Sequence, residues 1–338
     1  MRKTNATSVD VARRAGVSQS TVSRTFSRSL EGPKVSEDTR QRILAAAEEL
    51  GYQPNALARS LITRRSRMVA VLFSYLDNPF YATALEQLCQ ALQAKGYHAV
   101  VFMLPDTLAD VDRTVSELLE YQVDGVVTAS VEMSSKICER CQAQGVPVVM
   151  FNRIQDDPRL SGVSTDNVQG GRLAARHLIE IGARRIGLIG GWQGASTNRD
   201  REFGFRAELD SLGAPLVAYG EGKFELTETW NATRAMFDGS GPHPDALFVT
   251  NDYMAIKVLD TLRFELGLSV PGDVAVVGFD DVAMAALPSY DLTTVRQPIP
   301  QMVATTVRIL FEQIGRGSGE PEHVILGARL IERGSTRR

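Results

Sequence analysis

Three polar side chains near the N-terminus have the types and spacing to hydrogen-bond the edges of nucleic-acid bases. The segment ARRAGVSQSTVSR covers residues 12–24, and Gln19, Ser20 and Arg24 would share the outer face of a helix that begins near residue 19. Glutamine can pair with N6 and N7 of adenine, and arginine can pair with O6 and N7 of guanine. Hydroxyl groups suited to phosphates stand at the helix starts, at Thr7, Ser18 and Thr21. The pattern favours DNA binding, and a three-helix protein-binding module is the alternative.

A tight turn between two short helices would present that face. Thr7 is placed to cap a first helix that runs to about Ala15, with Asp10 in its first turn. Gly16 supplies the left-handed backbone that a tight turn needs, and a second helix follows over about 19–26. The two helices can share a small apolar core formed by Ala12, Val17 and Val22. This is the spacing of a helix-turn-helix unit.

A third helix would complete the unit. Ser36 is predicted to cap this helix and Gly51 to end it. Its predicted apolar stripe consists of Ile43, Leu44, Ala47 and Leu50. Residues 1–67 carry 13 Lys and Arg against 6 Asp and Glu, whereas the rest of the chain carries 24 against 34. A basic head on an acidic body indicates that the head binds a polyanion.

Two segments within the first 62 residues resemble the LacI/GalR family of bacterial transcription regulators. They are SVDVARRAGVSQSTVSR and VSEDTRQRILAAAEELGYQPNALARSL. The resemblance implies a hinge helix at about Asn55–Leu61, with Asn55 on a phosphate. Two such helices of a dimer would enter the minor groove, where Ala58 permits close approach and Leu61 wedges between base pairs. So short a helix is marginal alone in water, so we expect it to need a partner copy and DNA.

The remaining chain alternates short apolar strands with helical patterns. The predicted strands are MVAVLF, HAVVFML, DGVVTAS and VPVVMF, followed by RIGLIGG, PLVAYG, ALFVTN and VAVVGFDD. Repeated strand–helix–strand units read as parallel sheets covered by helices. Two runs of such units predict two similar lobes, with a small-molecule site in the cleft between them. The whole chain is therefore expected to be an α/β protein with an N-terminal helix-turn-helix domain, a hinge helix and a two-lobed body.

The cleft would be lined by residues that follow the strands. These are Asn78, Phe80, Asn152, Arg153, Asn251, Asp252, Asp280 and Asp281. Ligands of open parallel sheets bind beyond the carboxyl ends of the strands, which makes these positions informative. Adjacent residues at a strand end point apart, so Asp280 and Asp281 are not expected to form a carboxylate pair. Asn251 and Asp280 have a local alternative role as caps of the helices that follow.

The body also resembles the same family, through DNPFY, VSTDNVQGGRLAARHLIEIGARRIGLIGG, FVTNDYMAIKVLD, VPGDVAVVGFDD and LTTVRQP. The resemblance implies a periplasmic-binding-protein-like body that binds an effector between its lobes and forms a homodimer. The effector candidates it implies are Phe80, Tyr81, Asp166, Arg201, Phe224, Asn251, Asp280 and Gln297. A guanidinium, an amide and a carboxylate suit the hydroxyls of a sugar or sugar acid, and an aromatic ring can cover an apolar sugar face. Ala195 replaces an arginine of a purine-responsive relative, which disfavours purines; an amino acid or nucleobase remains the alternative.

The resemblance also implies where the parts begin and end. The DNA-binding domain would cover 1–52, the hinge helix and linker 53–66, and the body 67–338. Lobe 1 would comprise about 67–165 and 297–325, and lobe 2 about 166–293 and 326–338. The chain is expected to cross between lobes near 163–166, 293–298 and 325. The C-terminal GARLIERGSTRR adds no leucine heptads, the device that makes some relatives tetramers, so we expect a dimer.

Several function classes are disfavoured by what the sequence does not contain. There is no HExxH, GxSxG or P-loop motif, so we expect neither an enzyme nor a cofactor. Cys138 and Cys141 form a CxxC within a helical pattern, but two ligands are too few for a structural zinc site, so no metal is expected. No apolar run is long enough to span a membrane, and the N-terminus lacks a signal-peptide core, so we expect a cytoplasmic protein. The main rival, a periplasmic sugar-binding protein, fits the body but not the basic head.

Overall fold

The computed structural model describes residues 6–26, 35–53, 65–104, 108–129, 135–153, 159–238, 243–316 and 320–337, without the side chains of 108–112, 135–137 and 316. The chain divides into two compact units, Met1–Ser66 and Arg67–Arg338. The hinge residues Asn55, Ala58 and Leu61 lie outside the described residues.

The N-terminal unit contains the predicted helix-turn-helix. Its helices are α1 (Ser8–Ala15), α2 (Gln19–Phe26) and α3 (Glu37–Glu49). Thr7 and Asp10 form a reciprocal capping box at the start of α1, and Gly16 ends α1 in the left-handed conformation, with φ of 66°. Hydrogen bonds from Thr7 lower the pKa of Asp10. These local signals together fix the turn that sets α2 against α1.

The core of this unit differs from the prediction in α3. The buried residues are Val11, Ala12, Ala15, Val22, Ile43, Ala46 and Ala47, with Val17, Phe26 and Tyr52 packed against them. Leu44 and Leu50 are instead 38% and 37% exposed. Leu44 is about 100° around the helix from Ile43, and Leu50 lies at the C-terminal cap. Ala46 takes the place predicted for them in the apolar stripe.

The second unit, the body, contains two six-stranded sheets. In chain order the strands are β1 (Met68–Phe73), β2 (His98–Met103), β3 (Gly125–Thr128), β4 (Val148–Phe151), β5 (Ser161–Thr165), β6 (Ile186–Gly190), β7 (Leu216–Glu221), β8 (Ala246–Val249), β9 (Ala275–Asp280), β10 (Thr293–Arg296), β11 (His323–Leu326) and β12 (Arg329–Ile331). The first sheet has the order β11-β5-β4-β3-β1-β2 and is wholly parallel. The second has the order β12-β10-β9-β8-β6-β7, with β12 antiparallel to β10.

Helices cover both sheets. They are α4 (Pro79–Ala94), α5 (Leu108–Glu120), α6 (Ser135–Ala143), α7 (Asn167–Glu180), α8 (Ser196–Ser211), α9 (Leu226–Phe237), α10 (Asp252–Asp260) and α11 (Ile299–Arg316). A π-helical turn, Thr261–Glu265, continues α10, and Ala283–Ala286 is a 3₁₀ helix. The inner strands are buried except at the first residue of β1 and the last residue of β10, as expected for strands covered on both faces, whereas edge strands β2 and β7 are partly exposed. Within the part of the chain that the structure describes, no helix is long and apolar enough to span a membrane.

The chain passes between the two sheets three times. It leaves the first sheet after β5 and enters α7, returns after β10 through α11, and leaves again between β11 and β12. Each lobe is therefore built from separated segments of the sequence. The two earlier crossings lie side by side, because the hydroxyl of Thr165 donates to Oε1 of Gln297 at 2.7 Å.

Candidate functional site

A buried polar cluster joins the two lobes at the carboxyl ends of their strands. Its centre is Asp280, the last residue of β9, which is 3% exposed. One carboxylate oxygen accepts from the amide of Asn78 at 3.1 Å, and the other accepts from the amide of Gln297 at 2.7 Å. Asn78 caps α4, a helix of the first lobe. One carboxylate thus receives hydrogen bonds from the first lobe and from a crossing segment.

Arg201 on α8 supplies the positive charge of the cluster. Its guanidinium lies 3.5 Å from the Asp280 carboxylate, donates to Oδ1 of Asn167 at 2.8 Å and to the carbonyl of Thr250 at 2.6 Å, and stacks on Phe279 at 3.7 Å. Burial raises the pKa of Asp280 and lowers the pKa of Arg201, and the attraction between the two charges opposes both shifts. Since neither group has an easy route to water, the pair needs every one of these partners.

Two glycines set the position of Arg201. A Cβ on Gly171 of α7 would lie 2.2 Å from the carbonyl oxygen of Arg201, and one on Gly204 of α8 would lie 2.0 Å from the carbonyl oxygen of Val168. Both distances are far below van der Waals contact, so only glycine allows the backbones of α7 and α8 to approach this closely. The helix that carries Arg201 is therefore held rigidly against its neighbour.

An aromatic wall lies beside the charged pair. Phe80 and Tyr81 open α4, are 2% and 3% exposed, and pack edge to face with ring centroids 5.2 Å apart. Phe224 is half-buried in the turn before α9, where its φ is 61°. The guanidinium of Arg153 lies between them, 5.7 Å from the Tyr81 ring and 5.5 Å from the Phe224 ring. Arg153 thus links aromatic residues of the two lobes.

The outer face of α2 is polar and exposed. Gln19, Ser20 and Arg24 all lie on it, and the side chains of Gln19 and Arg24 donate hydrogen bonds to residues of α1 and α2. The amide of Gln19 donates to the hydroxyl of Ser8 at 3.0 Å, and Arg24 donates to the carbonyl of Ser20 at 3.3 Å. Solvent-exposed bonds of this kind contribute little and exchange readily for other partners. The two remaining hydroxyls, Ser18 and Thr21, are 2.9 Å apart at the start of the helix.

Comparison with known proteins gives the family. Residues 8–55 match the model for bacterial regulatory proteins of the lacI family, and residues 175–336 match the periplasmic binding protein-like domain. The chain is 35% identical to the HTH-type transcriptional regulator CelR of Thermobifida fusca, with 96% of each covered, and 32% identical to the ribose operon repressor of Escherichia coli, with 98% of this chain and 99% of that protein covered.

The chain belongs to the LacI family. Among solved structures, the lac repressor dimer bound to operator and the anti-inducer ONPF superposes with a TM-score of 0.88 at 27% identity, covering 99% of this chain and all of that one. The CelR–cellobiose complex superposes with a TM-score of 0.73 at 33% identity, covering 98% and 99%. This LacI-family protein is thus a DNA-binding transcriptional regulator and not an enzyme.

Two of the predicted effector residues act as helix caps. Oδ1 of Asn251 accepts from the backbone amide of Met254 at 2.8 Å, and Oδ1 of Asp166 accepts from that of Gln169 at 2.8 Å. Neither makes a side-chain hydrogen bond to Asp280 or Arg201. The structure therefore brings Phe80, Tyr81, Arg201, Phe224, Asp280 and Gln297 into one inter-lobe cluster, whereas Asp166 and Asn251 support the helices around it.

Two further carboxylates, Asp281 and Asp252, lie next to the cluster and have partners of their own. Asp281 faces away from Asp280 and pairs with Arg296 and Arg333, the latter at 2.6 Å. Asp252 is fully buried, accepts from the hydroxyl of Thr294 at 2.6 Å, and burial raises its pKa to about 7. The expectation that Asp280 and Asp281 point apart is met by these contacts.

Sequence reasoning passed over part of the site. Asn78, Asn152 and Arg153 were recognised as strand-end residues but were not among the effector candidates. The strand-end rule itself was the signal that could have selected them, since all three are buried at the lobe junction. Cys138 and Cys141 are buried and form no disulfide, and burial raises the pKa of Cys141 to about 11, which agrees with a packing role.

Proposed function

We propose that the protein is a dimeric repressor that reads a palindromic operator and is controlled by a sugar or sugar acid bound between the two lobes. The observation that carries the effector part is the inter-lobe cluster around Asp280, where buried groups of both lobes meet at the carboxyl ends of two parallel sheets. Relatives named as ribose and sucrose operon repressors, and structures with cellobiose or ribose, support a carbohydrate.

On the DNA side, we assign base reading to the exposed face of α2, through Gln19, Ser20 and Arg24. Phosphate contacts are assigned to Thr7, Ser18, Thr21 and Asn55. Ala58 and Leu61 are assigned to the minor groove at the operator centre, where unstacking costs a few kcal/mol that the contacts of bent DNA offset. Two copies related by two-fold symmetry would each read one half-site, so the operator is expected to be palindromic.

On the effector side, Arg201, Asp280 and Gln297 offer donors and acceptors in fixed positions to ligand hydroxyls. Phe80, Tyr81 and Phe224 are assigned to the apolar face of the ligand. Asp166 and Asn251 each use Oδ1 for a cap, and the remaining polar atoms, Oδ2 of Asp166 and the side-chain nitrogen of Asn251, are assigned to the ligand. This division suits a polyol, since hydroxyls both donate and accept hydrogen bonds.

Control would operate through the bonds that now join the lobes. Asp280 holds Asn78 of the first lobe, and an effector hydroxyl at Asp280 would compete for that bond. The effector can shift the equilibrium only by its difference in affinity for the two lobe arrangements. We infer that the favoured arrangement sets the spacing of the two hinge segments, and thereby operator affinity.

The protein would act in the cytoplasm and associate with the nucleoid when it is bound to its operator. Chromatin immunoprecipitation of the tagged full-length protein tests this location. Enrichment at discrete palindromic sites is expected, and an even distribution over the chromosome would contradict specific operator binding.

The central experiment is selection of binding sites from a random DNA pool by the full-length protein, followed by fluorescence anisotropy of the selected site with and without sugars. We expect a palindromic consensus, a dimer by analytical ultracentrifugation, and operator affinity that changes at least tenfold with one carbohydrate class. A monomer that binds all sequences equally, or operator affinity that no carbohydrate changes, would refute the proposal.

A further inference from the structure

Arg153 is a buried cation at the junction of the two lobes. It follows β4 and is 5% exposed. Its guanidinium donates to the hydroxyl of Tyr75 at 2.6 Å and lies over the rings of Tyr75, Tyr81 and Phe224 at 5.3, 5.7 and 5.5 Å. Phe224 belongs to the second lobe, so the guanidinium stands where a ligand between the lobes would lie.

No carboxylate of the described residues lies within ion-pair distance of this guanidinium, and its Nε has no hydrogen-bond partner. Arg201 is the internal comparison, because that guanidinium is equally buried but has an amide, a carbonyl and the Asp280 carboxylate as partners. Buried charges in proteins are nearly always paired. The rings and the phenol of Tyr75 give Arg153 only partial compensation.

Asn152, the residue before Arg153, has a buried acceptor without a hydrogen-bond partner. The Asn152 side-chain nitrogen donates to the hydroxyl of Tyr81 at 3.2 Å, while its Oδ1 is buried without a partner. Nε of Arg153, a cationic donor, and Oδ1 of Asn152, a neutral acceptor, therefore both lack partners in adjacent residues of a turn where Asn152 has φ of 66°. A ligand that satisfies both must present an acceptor to Arg153 and a hydroxyl to Asn152.

We propose that the effector carries an anionic oxygen group, a carboxylate or a phosphate, bound by Arg153, with an adjacent hydroxyl donated to Asn152. This inference rests on the effector site proposed above and narrows its ligand to acidic carbohydrates. A guanidinium pairs with carboxylate or phosphate oxygens through two parallel hydrogen bonds, and such charge-assisted bonds are the stronger kind.

A neutral sugar fits this position less well. It would satisfy the Nε hydrogen bond but leave a buried positive charge uncompensated. The Asp280 carboxylate attracts both guanidiniums, but its single negative charge lies within ion-pair distance of Arg201 and not of Arg153, so it offsets the two positive charges only in part. The charge balance of the cluster therefore favours an anion.

The test measures binding of matched acidic and neutral carbohydrates to the full-length protein. The pairs are gluconate with glucose, galacturonate with galactose, glucose 6-phosphate with glucose, and ribose 5-phosphate with ribose, assayed by thermal shift and then calorimetry. The variants are Arg153→Gln, Arg153→Lys, which keeps the charge, and Arg172→Gln, an exposed arginine of α7 that controls for net charge.

We expect at least one acidic member to bind the unaltered protein more tightly than its neutral partner. Arg153→Gln should weaken that acidic ligand at least about 30-fold and the neutral partner less than about threefold, whereas Arg172→Gln should change neither. Arg153→Lys should retain more of the preference than Arg153→Gln. Tighter binding of gluconate or galacturonate would identify a carboxylate ligand, and tighter binding of a sugar phosphate would identify a phosphate ligand.

The proposal is overturned if no acidic member outperforms its neutral partner, or if Arg153→Gln weakens both members of the best pair equally. Equal losses in the Lys and Gln variants would also overturn it, because charge would then not be the cause. Failure of the proposed repressor function is distinguishable, since it would appear as operator affinity unchanged by a ligand that does bind.

Discussion

Replacement of Asp280 by alanine is expected to destabilise the body strongly. The change removes the carboxylate 3.5 Å from Arg201 and leaves that guanidinium, which is 3% exposed, without a counter-charge. It also removes the acceptor of the amides of Asn78 and Gln297. Removal of one partner of a buried ion pair costs about 3–5 kcal/mol, against a total unfolding free energy of about 5–15 kcal/mol, so we expect a folded but weakened body.

A double-mutant cycle separates the ion pair from the general effect of truncation. With Arg201→Met added to Asp280→Ala, neither charge of this ion pair remains, so the double variant should be more stable than the sum of the single losses predicts by about 2 kcal/mol. Urea unfolding followed by tryptophan fluorescence reports the body alone, because Trp192 and Trp230 are the two tryptophans of the chain. Asp210→Ala, at an exposed position on α8, is the matched control and should change stability by less than about 0.5 kcal/mol. A loss below about 1 kcal/mol for Asp280→Ala, or strict additivity of the cycle, would refute the reasoning.

Four further outcomes are expected. Burial raises the pKa of Asp252 from 3.8 to about 7, so the folded body holds a proton that the unfolded chain releases, and its stability should fall as pH rises from about 4 to about 7; Asp252→Asn should flatten this slope in urea titrations, and an unchanged slope would contradict the assignment. Gly171→Ala places a methyl 2.2 Å from a carbonyl of α8 and should cost at least about 2 kcal/mol with weaker effector binding, while Gly315→Ala, with open space, should be neutral or stabilising in the same melts. Gln19→Ala should relax base preference at one operator position rather than weaken all sequences equally, as site selection would show. Leu61→Ser should reduce operator affinity and bending and leave effector binding intact; undiminished operator binding would remove Leu61 from the groove.

The parts of the fold that the sequence predicts are those marked by a local pattern of apolar residues. Strands such as β1, β8 and β9 are covered on both faces and read as unbroken apolar runs. Strands β5 and β10, with the sequences SGVST and TTVR, give no such signal because most of their buried side chains are polar, with one buried valine in each. Thr165 and Thr294 are satisfied by Gln297 and Asp252, residues far away in sequence. A pattern of local hydrophobicity cannot register partners of this kind.

The sequence predicts where the site lies but not which role each of its residues has. The rule that ligands lie beyond strand ends located Asp280 and Asn251 equally well. Only the folded chain shows that Asp280 contacts the first lobe while Asn251 caps its own helix. Arg153 is informative because no carboxylate of the described residues pairs with its guanidinium. The spatial neighbours of a side chain cannot be derived from the sequence pattern around it. In α3, likewise, Leu44 counted as core by hydrophobicity, although the helical period turns it toward solvent.

The three crossings of the body bear on how genes of this family exchange parts. The N-terminal unit is one uninterrupted stretch, Met1–Ser66, so a single recombination event can transfer it whole. Neither lobe is encoded by one contiguous segment. Strands β11 and β12 are encoded within ten codons of each other, yet they lie at the edges of different sheets. A recombination event anywhere between β6 and β11 would leave each sheet with strands from two parents. The body is therefore expected to be inherited as an indivisible block, with new ligand preferences arising by point substitution in the cleft and new DNA addresses by replacement of the head.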